Sequence, residues 1–218
     1  WLKDNCSQID CDKPNCVKLI KLDYLYTEAN IALNQRKYVG LMPRNEHDII
    51  EFRKLQSIQK DIVNFISQGQ NIYIYSKNVG NGKTSWCLKL VQEYFNQVWP
   101  SSQLTCRCLF IHVPQFLLLL KDNISQKSEY IQHVKDNILD CDVVIFDEFG
   151  EKASSTYETE HLLSYINTRL SGGKSCFYTS NATPEELKDI VGLRLQSRVI
   201  GLSRVFKFTG EDCRTCKM

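Results

Sequence analysis

The chain has 218 residues, 43% of them hydrophobic and 24% charged, with a formal net charge of +2 at pH 7. These values fit one soluble globular domain with a short appendage, and they exclude a surface that is basic throughout, so any nucleic-acid site must be a local patch. The longest apolar run, Phe116–Leu120, is far too short to span a bilayer.

The first forty-five residues are mixed in composition and cysteine-bearing, and MPRNEHD (Met42–Asp48) punctuates their end. The opening WLKDNCSQID lacks the basic-then-apolar pattern of a signal peptide, and Trp1 in place of Met points to a trimmed start or residues upstream. From Glu46 to Ile66, apolar residues recur near a 3.6 period and predict one helix, stopped by QGQN. Asn71–Ser76 predicts a strand, Lys83–Trp99 a helix and Cys106–Val113 a strand. Pro114–Lys121 reads as a helix opened by proline, and Glu129–Leu139 as another. The apolar run of Asp142–Glu148 is unbroken, which predicts a strand buried on both faces. A helix follows over Tyr157–Leu170 and a strand over Ser175–Asn181. TPEEL (Thr183–Leu187) starts a capped helix, and Arg204–Phe208 is a last short strand. Strands separated by helices predict an α/β fold, its mainly parallel sheet covered by helices on both faces.

The ten cysteines divide into two groups. Cys87, Cys106, Cys108, Cys141 and Cys176 lie within or beside apolar segments, the pattern of reduced core thiols in a cytoplasmic setting. Cys6, Cys11 and Cys16, spaced C-x4-C-x4-C, are candidate zinc ligands, although structural zinc prefers four ligands and commonly a C-x2-C pair. Cys213 and Cys216 have that tighter spacing at the other end, so the alternatives are a composite site or free thiols.

The stretch YIYSKNVGNGKTSW (Tyr73–Trp86) carries the chemistry. Gly82, Lys83 and Thr84 match the end of the phosphate-loop pattern G-x-x-x-x-G-K-[ST], between a predicted strand and helix. Backbone N–H groups of such a loop and the helix N-terminus hold phosphates. The lysine reaches the β- and γ-phosphates, and the threonine hydroxyl serves Mg²⁺. Asn78, Val79, Gly80, Asn81, Gly82, Lys83, Thr84 and Ser85 are therefore the candidate ATP contacts. Lys77 stands where the pattern begins with glycine, which a side chain tolerates only at ordinary backbone angles. On the loop alone, a plain glycine turn between strand and helix is the alternative.

The strand VVIFDEFG narrows that choice. Asp147 at its end is the candidate Mg²⁺ holder and Glu148 the candidate general base for an attacking water. Asn181, ending SCFYTSN, would sense the γ-phosphate if its strand lay between the two motif strands. By itself such an asparagine is a cap or turn residue. Arg194 and Arg198, four apart in GLRLQSRVIG, share one helical face. Either a solvated basic face or an arginine finger entering a neighbouring subunit fits them.

Taken in order, YIYSKNVGNGKTS, VVIFDEFG, FYTSN, LRLQSR and VFKFTGEDCR resemble the bacterial and phage helicase loaders, the DnaC/DnaI-like AAA+ ATPases, over roughly Glu46–Arg214. The resemblance implies a five-stranded AAA+ core over residues 46–218, without a full lid, preceded by a helicase-contacting segment over residues 1–45. It implies ATP and Mg²⁺ as cofactors, a ring or spiral assembly, and a replicative hexameric helicase and single-stranded DNA as partners. Arg198 takes the place of the arginine finger and Arg194 of its companion. Phe116 and Lys121 become candidates for base stacking and phosphate contact, against core packing for most of QFLLLL. Two further readings share these residues: a transposition helper of the IstB type, and a non-hydrolysing helicase adapter.

Overall fold

The computed structural model describes residues 14–37, 40–103, 105–122, 128–151 and 156–212. In chain order the main elements are α1 (Pro14–Glu28), α2 (Glu46–Lys60), α3 (Ile62–Ser67), β1 (Asn71–Tyr75), α4 (Lys83–Val98), β2 (Cys108–His112), α5 (Val113–Asp122), α6 (Glu129–Asn137), β3 (Val143–Asp147), α7 (Thr156–Ser171), β4 (Ser175–Ser180), α8 (Pro184–Val191), α9 (Leu193–Gly201) and β5 (Ser203–Lys207). The five strands form one parallel sheet in the order β2-β3-β4-β1-β5.

Alternation along the strands splits the core in two. Ile72, Ile74, Val143, Ile145 and Phe177 face α1–α4, while Tyr73, Leu109, Ile111, Val144, Phe146 and Tyr178 face α5–α9. Both faces are covered, which is why these strands read as continuous apolar runs. The register aligns His112 with Asp147 and Tyr75 with Ser180, so the carboxyl ends of β1–β4 converge on one edge. Open α/β sheets place their ligands at that edge.

Two segments differ from the sequence reading. The helix expected over Glu46–Ile66 is broken at Asp61 (φ −121°, ψ 36°), whose carboxylate accepts from Asn64 Nδ2 (2.9 Å) in the first turn of α3. The early part of the chain, read as mixed, contains α1. Leu25, Ala29 and Ile31 join the core on the α4 side. The Ala29 carbonyl accepts Phe110 N–H (2.7 Å), blunting the edge of β2. The weak amphipathic pattern of α1 gave no periodic signal, because only its C-terminal end is buried.

Cys87, Cys108, Cys141 and Cys176 are buried and free, as the apolar context implied. Burial pushes the half-buried Cys106 thiol up to about 12 and Cys141 up to about 11, which keeps both as unreactive thiols near neutrality. Among the described residues no helix is long and apolar enough to cross a membrane.

A buried arginine fastens the amino ends of β3 and β4. Arg169 of α7, 1% exposed, donates to the carbonyls of Ile138 (2.6 Å), Cys141 (3.0 Å) and Ser175 (2.7 Å). Arg169→Leu strands these acceptors in an apolar setting. Chemical denaturation is expected to show a loss of about 3 kcal/mol, with Tm falling by roughly 6–12 °C. A loss within experimental error would show that the carbonyls find other partners.

Candidate nucleotide site

The loop after β1 turns tightly at Gly80 (φ +67°) and Gly82 (φ +95°), backbone states that side chains rarely adopt. Gly82 is the N-cap of α4 and contributes no side chain there, which leaves the first N–H groups of that helix to an anion. Lys83 Nζ reaches back to the carbonyls of Asn78 (2.9 Å) and Ser76 (3.4 Å) across the loop.

Lys77 is accommodated outside the loop. Among the described residues the non-glycine residues with positive φ are Asn30 and Glu148, so Lys77 has an ordinary backbone. Its ammonium contacts both carboxylate oxygens of Glu186 in the first turn of α8. Lys77 first, and then the Thr183 backbone N–H, hold the Glu186 carboxyl below the usual carboxylate range. The pair is exposed and adds little stability; its effect is to keep the Lys77 side chain out of the cavity.

The end of β3 is the electrostatic centre. Asp147, 5% exposed, accepts at Oδ1 from both Thr84 Oγ1 and Thr179 Oγ1, each at 2.7 Å. Burial raises its carboxyl above the usual range, and the Thr179 and Thr84 hydroxyls pull it back down. Thr179 Oγ1 also accepts Glu148 N–H (3.1 Å), so one β4 hydroxyl fixes both acids. Glu148 sits at φ +56°, a strained state for a side-chain-bearing residue, and its Oε2 lies 2.8 Å from His112 Nε2.

A cavity of about 270 Å³ opens over these groups, lined by Leu41, Val79–Ser85, Glu148, Thr179, Ser180 and Asn181. Most of the sequence-derived site therefore converges. Asp147 lies beneath the lining, reached through Thr84, and the Asn78 side chain turns away toward Thr209 and Gly210. Because β4 lies between β1 and β3, Asn181 comes to the cavity as the sequence required. Arg194 and Arg198 lie on the exposed face of α9, opposite the buried Leu195 and Val199, and do not line the cavity.

Two expectations need correction or restriction. Phe116 is fully buried and meets Tyr165 edge to face at 6.4 Å, so it is a core residue and not a stacking platform. Lys121 is ion-paired with Glu158 at 2.9 Å on the surface. Of the candidate zinc ligands, Cys6 and Cys11 lie outside the described residues, as do Cys213 and Cys216. Cys16 is a half-exposed free thiol on α1, and no cluster of three or more metal-ligating side chains occurs among the described residues.

Sequence reading missed Leu41, Thr179 and His112. Leu41 sits in a segment with no periodicity. Thr179 and His112 were absorbed into apolar strands, though a polar residue at a strand's carboxyl end, in register with the motif acid, is the available signal.

The bacterial DnaA ATPase-domain family model matches residues 55–203, more than half of the chain. The chain belongs to that family. It is similar to the replicative helicase loader DnaI of Bacillus subtilis (strain 168), 21% identical over 164 residues that cover 69% of this chain and 50% of the relative. It thus spans half the length of that curated relative. Among solved structures, the crystal structure of the DnaC helicase loader superposes with TM-score 0.63 at 15% identity, covering 77% of this chain and 93% of that one. AMPPCP-bound DnaA from Aquifex aeolicus superposes with TM-score 0.58 at 19% identity, covering 77% and 48%. These likenesses establish the AAA+-type α/β fold.

Removing the Thr179 hydroxyl deprives Asp147 of a donor and so raises its carboxyl further. In Thr179→Val, Mg²⁺-dependent binding of an ATP analogue is therefore expected to fail at higher pH than in wild type as the pH is lowered. An acid limb that stays in place would contradict the role given to this hydroxyl.

Proposed function

We propose that the chain is an ATPase that loads a replicative DNA helicase. The observation that supports this most is the 2.7 Å contact between Thr84 of the phosphate loop and Asp147 of β3, beside Glu148 and Asn181 in one cavity. An idle nucleotide scaffold has no need to keep that set together. The donor set suits the implied cofactors. Thr84 Oγ1 and Asp147 are hard oxygen groups of the kind Mg²⁺ takes. Gly80 and Gly82 place no side chain at the two sharp turns of the loop, and a Cβ on Gly82 would lie 3.1 Å from Leu41.

In this reading the loop N–H groups and Lys83 bind the phosphates of ATP, with Lys83 exchanging its loop carbonyls for phosphate oxygens. Thr84 and Asp147 would hold Mg²⁺, which when bound neutralises charge on the phosphates. Glu148 accepts a proton from the attacking water as its oxygen bonds to the γ-phosphorus and the bridging bond to the β-phosphate breaks. His112 fixes the Glu148 carboxylate, and Asn181 orients the γ-phosphate and the water. Arg198, supplied by a neighbouring copy with Arg194 as its companion, steadies the charge of the transition state. Their exposure on α9 is what a contribution in trans requires.

The loading role rests on the likeness to DnaI and DnaC. Residues 1–45 are the proposed helicase contact. On α1 the exposed Val17 and Leu19 offer apolar surface to such a partner. Single-stranded DNA completes the proposed set of partners.

Glu148→Gln should retain ATP with an affinity within about threefold of wild type, while turnover falls by roughly 10²–10⁴-fold. Equilibrium binding and steady-state phosphate release read the two effects. Turnover at the wild-type rate would remove Glu148 from the chemistry. Wild-type loading activity without turnover would favour a non-hydrolysing adapter.

A further inference from the structure

The phosphate loop is hydrogen-bonded to a part of the chain that the nucleotide chemistry does not use. After β5 the chain passes through Thr209 and Gly210. Asn78 Nδ2 donates to the carbonyls of both residues, at 3.1 and 3.0 Å, and the buried Asn81 donates to Gly210 O at 3.4 Å and Ser76 Oγ at 2.6 Å. The same two residues are gripped from behind. Asp48, 2% exposed in the first turn of α2, accepts Thr209 N–H (2.9 Å), the Thr209 hydroxyl (3.1 Å) and Gly210 N–H (2.9 Å). Asn45, which caps α2 by accepting Asp48 N–H (2.8 Å), donates to Thr209 Oγ1 (3.0 Å).

The fit is close on both sides. A Cβ on Gly210 would lie 2.6 Å from Asp48 Oδ2, and one on Gly80 would lie 1.8 Å from Asp212 Oδ1. A buried carboxylate meeting three donors is a strong anchor. The two asparagine amides carry that anchor to the loop.

We propose that Asp48, acting through Thr209 and Gly210 on Asn78 and Asn81, is a positioning residue for the phosphate loop, so that the segment after β5 sets nucleotide affinity. This rests on the nucleotide-binding part of the reading above. The chemical reason is preorganisation. The loop binds phosphate with backbone N–H groups, and each gives its full benefit only if the loop is already ordered. Most phosphate loops open on a glycine; here that position is Lys77, drawn outward to Glu186, and the loop is held from outside by the clasp. By reciprocity, nucleotide in the loop steadies the segment, and whatever draws the segment away loosens nucleotide.

The test compares Asp48→Asn and Asn78→Ala in the full chain. Asp48→Asn keeps the side-chain shape but turns one acceptor toward an N–H as a donor, and Asn78 is exposed, so its truncation spares the core. Titration with a fluorescent non-hydrolysable ATP analogue in Mg²⁺ should show affinity weakened about five- to tenfold in each variant. The loss in kcat/KM should be carried by KM. The double variant should weaken binding no further than the worse single, since both cut one path. Hydrogen exchange should rise over residues 208–212 and the phosphate loop, and not across the sheet, which a global loss of stability would also raise. Unchanged or tighter binding in both variants, with wild type binding normally, overturns the clasp and leaves the ATPase reading intact. Wild type that binds nucleotide without turning it over still reads the clasp through Kd. Wild type that binds none overturns both.

Discussion

A single buried carboxylate organises the carboxyl edge of the sheet in this protein. Asp147 Oδ1 receives the hydroxyls of Thr84 and Thr179, from the elements that follow β1 and form β4. Burying a charge is costly unless it is met by donors, so the three strands must keep their register and the phosphate loop must deliver Thr84 to one place. Thr179 extends the constraint to Glu148 through its backbone N–H, and the left-handed backbone of Glu148 is tolerated because its neighbours over-determine it. In the proposed reading this carboxylate would take part in holding Mg²⁺, and Glu148, in contact with His112, would act as the base.

The parts of this arrangement that were legible in the sequence are those in which local pattern and tertiary role coincide. The apolar runs at Asn71, Cys108, Val143 and Ser175 are strands because both faces are buried, and a two-sided strand has no polar alternation to confuse with a helix. The glycines, Lys83 and Thr84 stand out because their chemistry demands those residues at that spacing. The order that sets β4 between β1 and β3, needed for Asn181 to reach the cavity, stood in the sequence only as a condition, because no local signal fixes strand order. What stayed hidden depends on contacts distant in sequence. Helix α1 is anchored by Leu25 and by the Ala29 carbonyl on Phe110, neither of which leaves a periodic trace. Phe116 looked available for stacking only because the sequence cannot say which face of an apolar helix meets Tyr165.

Lys77, the departure from the usual loop pattern, is explained by the partner it finds. A lysine pointing into the cavity would fill space that the proposed reading gives to phosphate. Paired with Glu186 at the start of α8, it instead links the loop to the helix that follows Asn181. The loop is thereby tied at both flanks, to α8 through Lys77 and to the segment after β5 through Asn78 and Asn81. Asn78 and Asn81 stand at positions a standard motif leaves unspecified and Lys77 departs from it, which is why the motif alone says little about how firmly this loop is held.

Steady-state ATP hydrolysis by wild type and Lys83→Ala, each with and without single-stranded DNA, tests the central claim most directly. The account predicts turnover by wild type that falls at least a hundredfold in Lys83→Ala, because the loop lysine meets the charge that develops on the transferring phosphate. Turnover that survives loss of Lys83, or wild type that hydrolyses nothing under either condition, would contradict it.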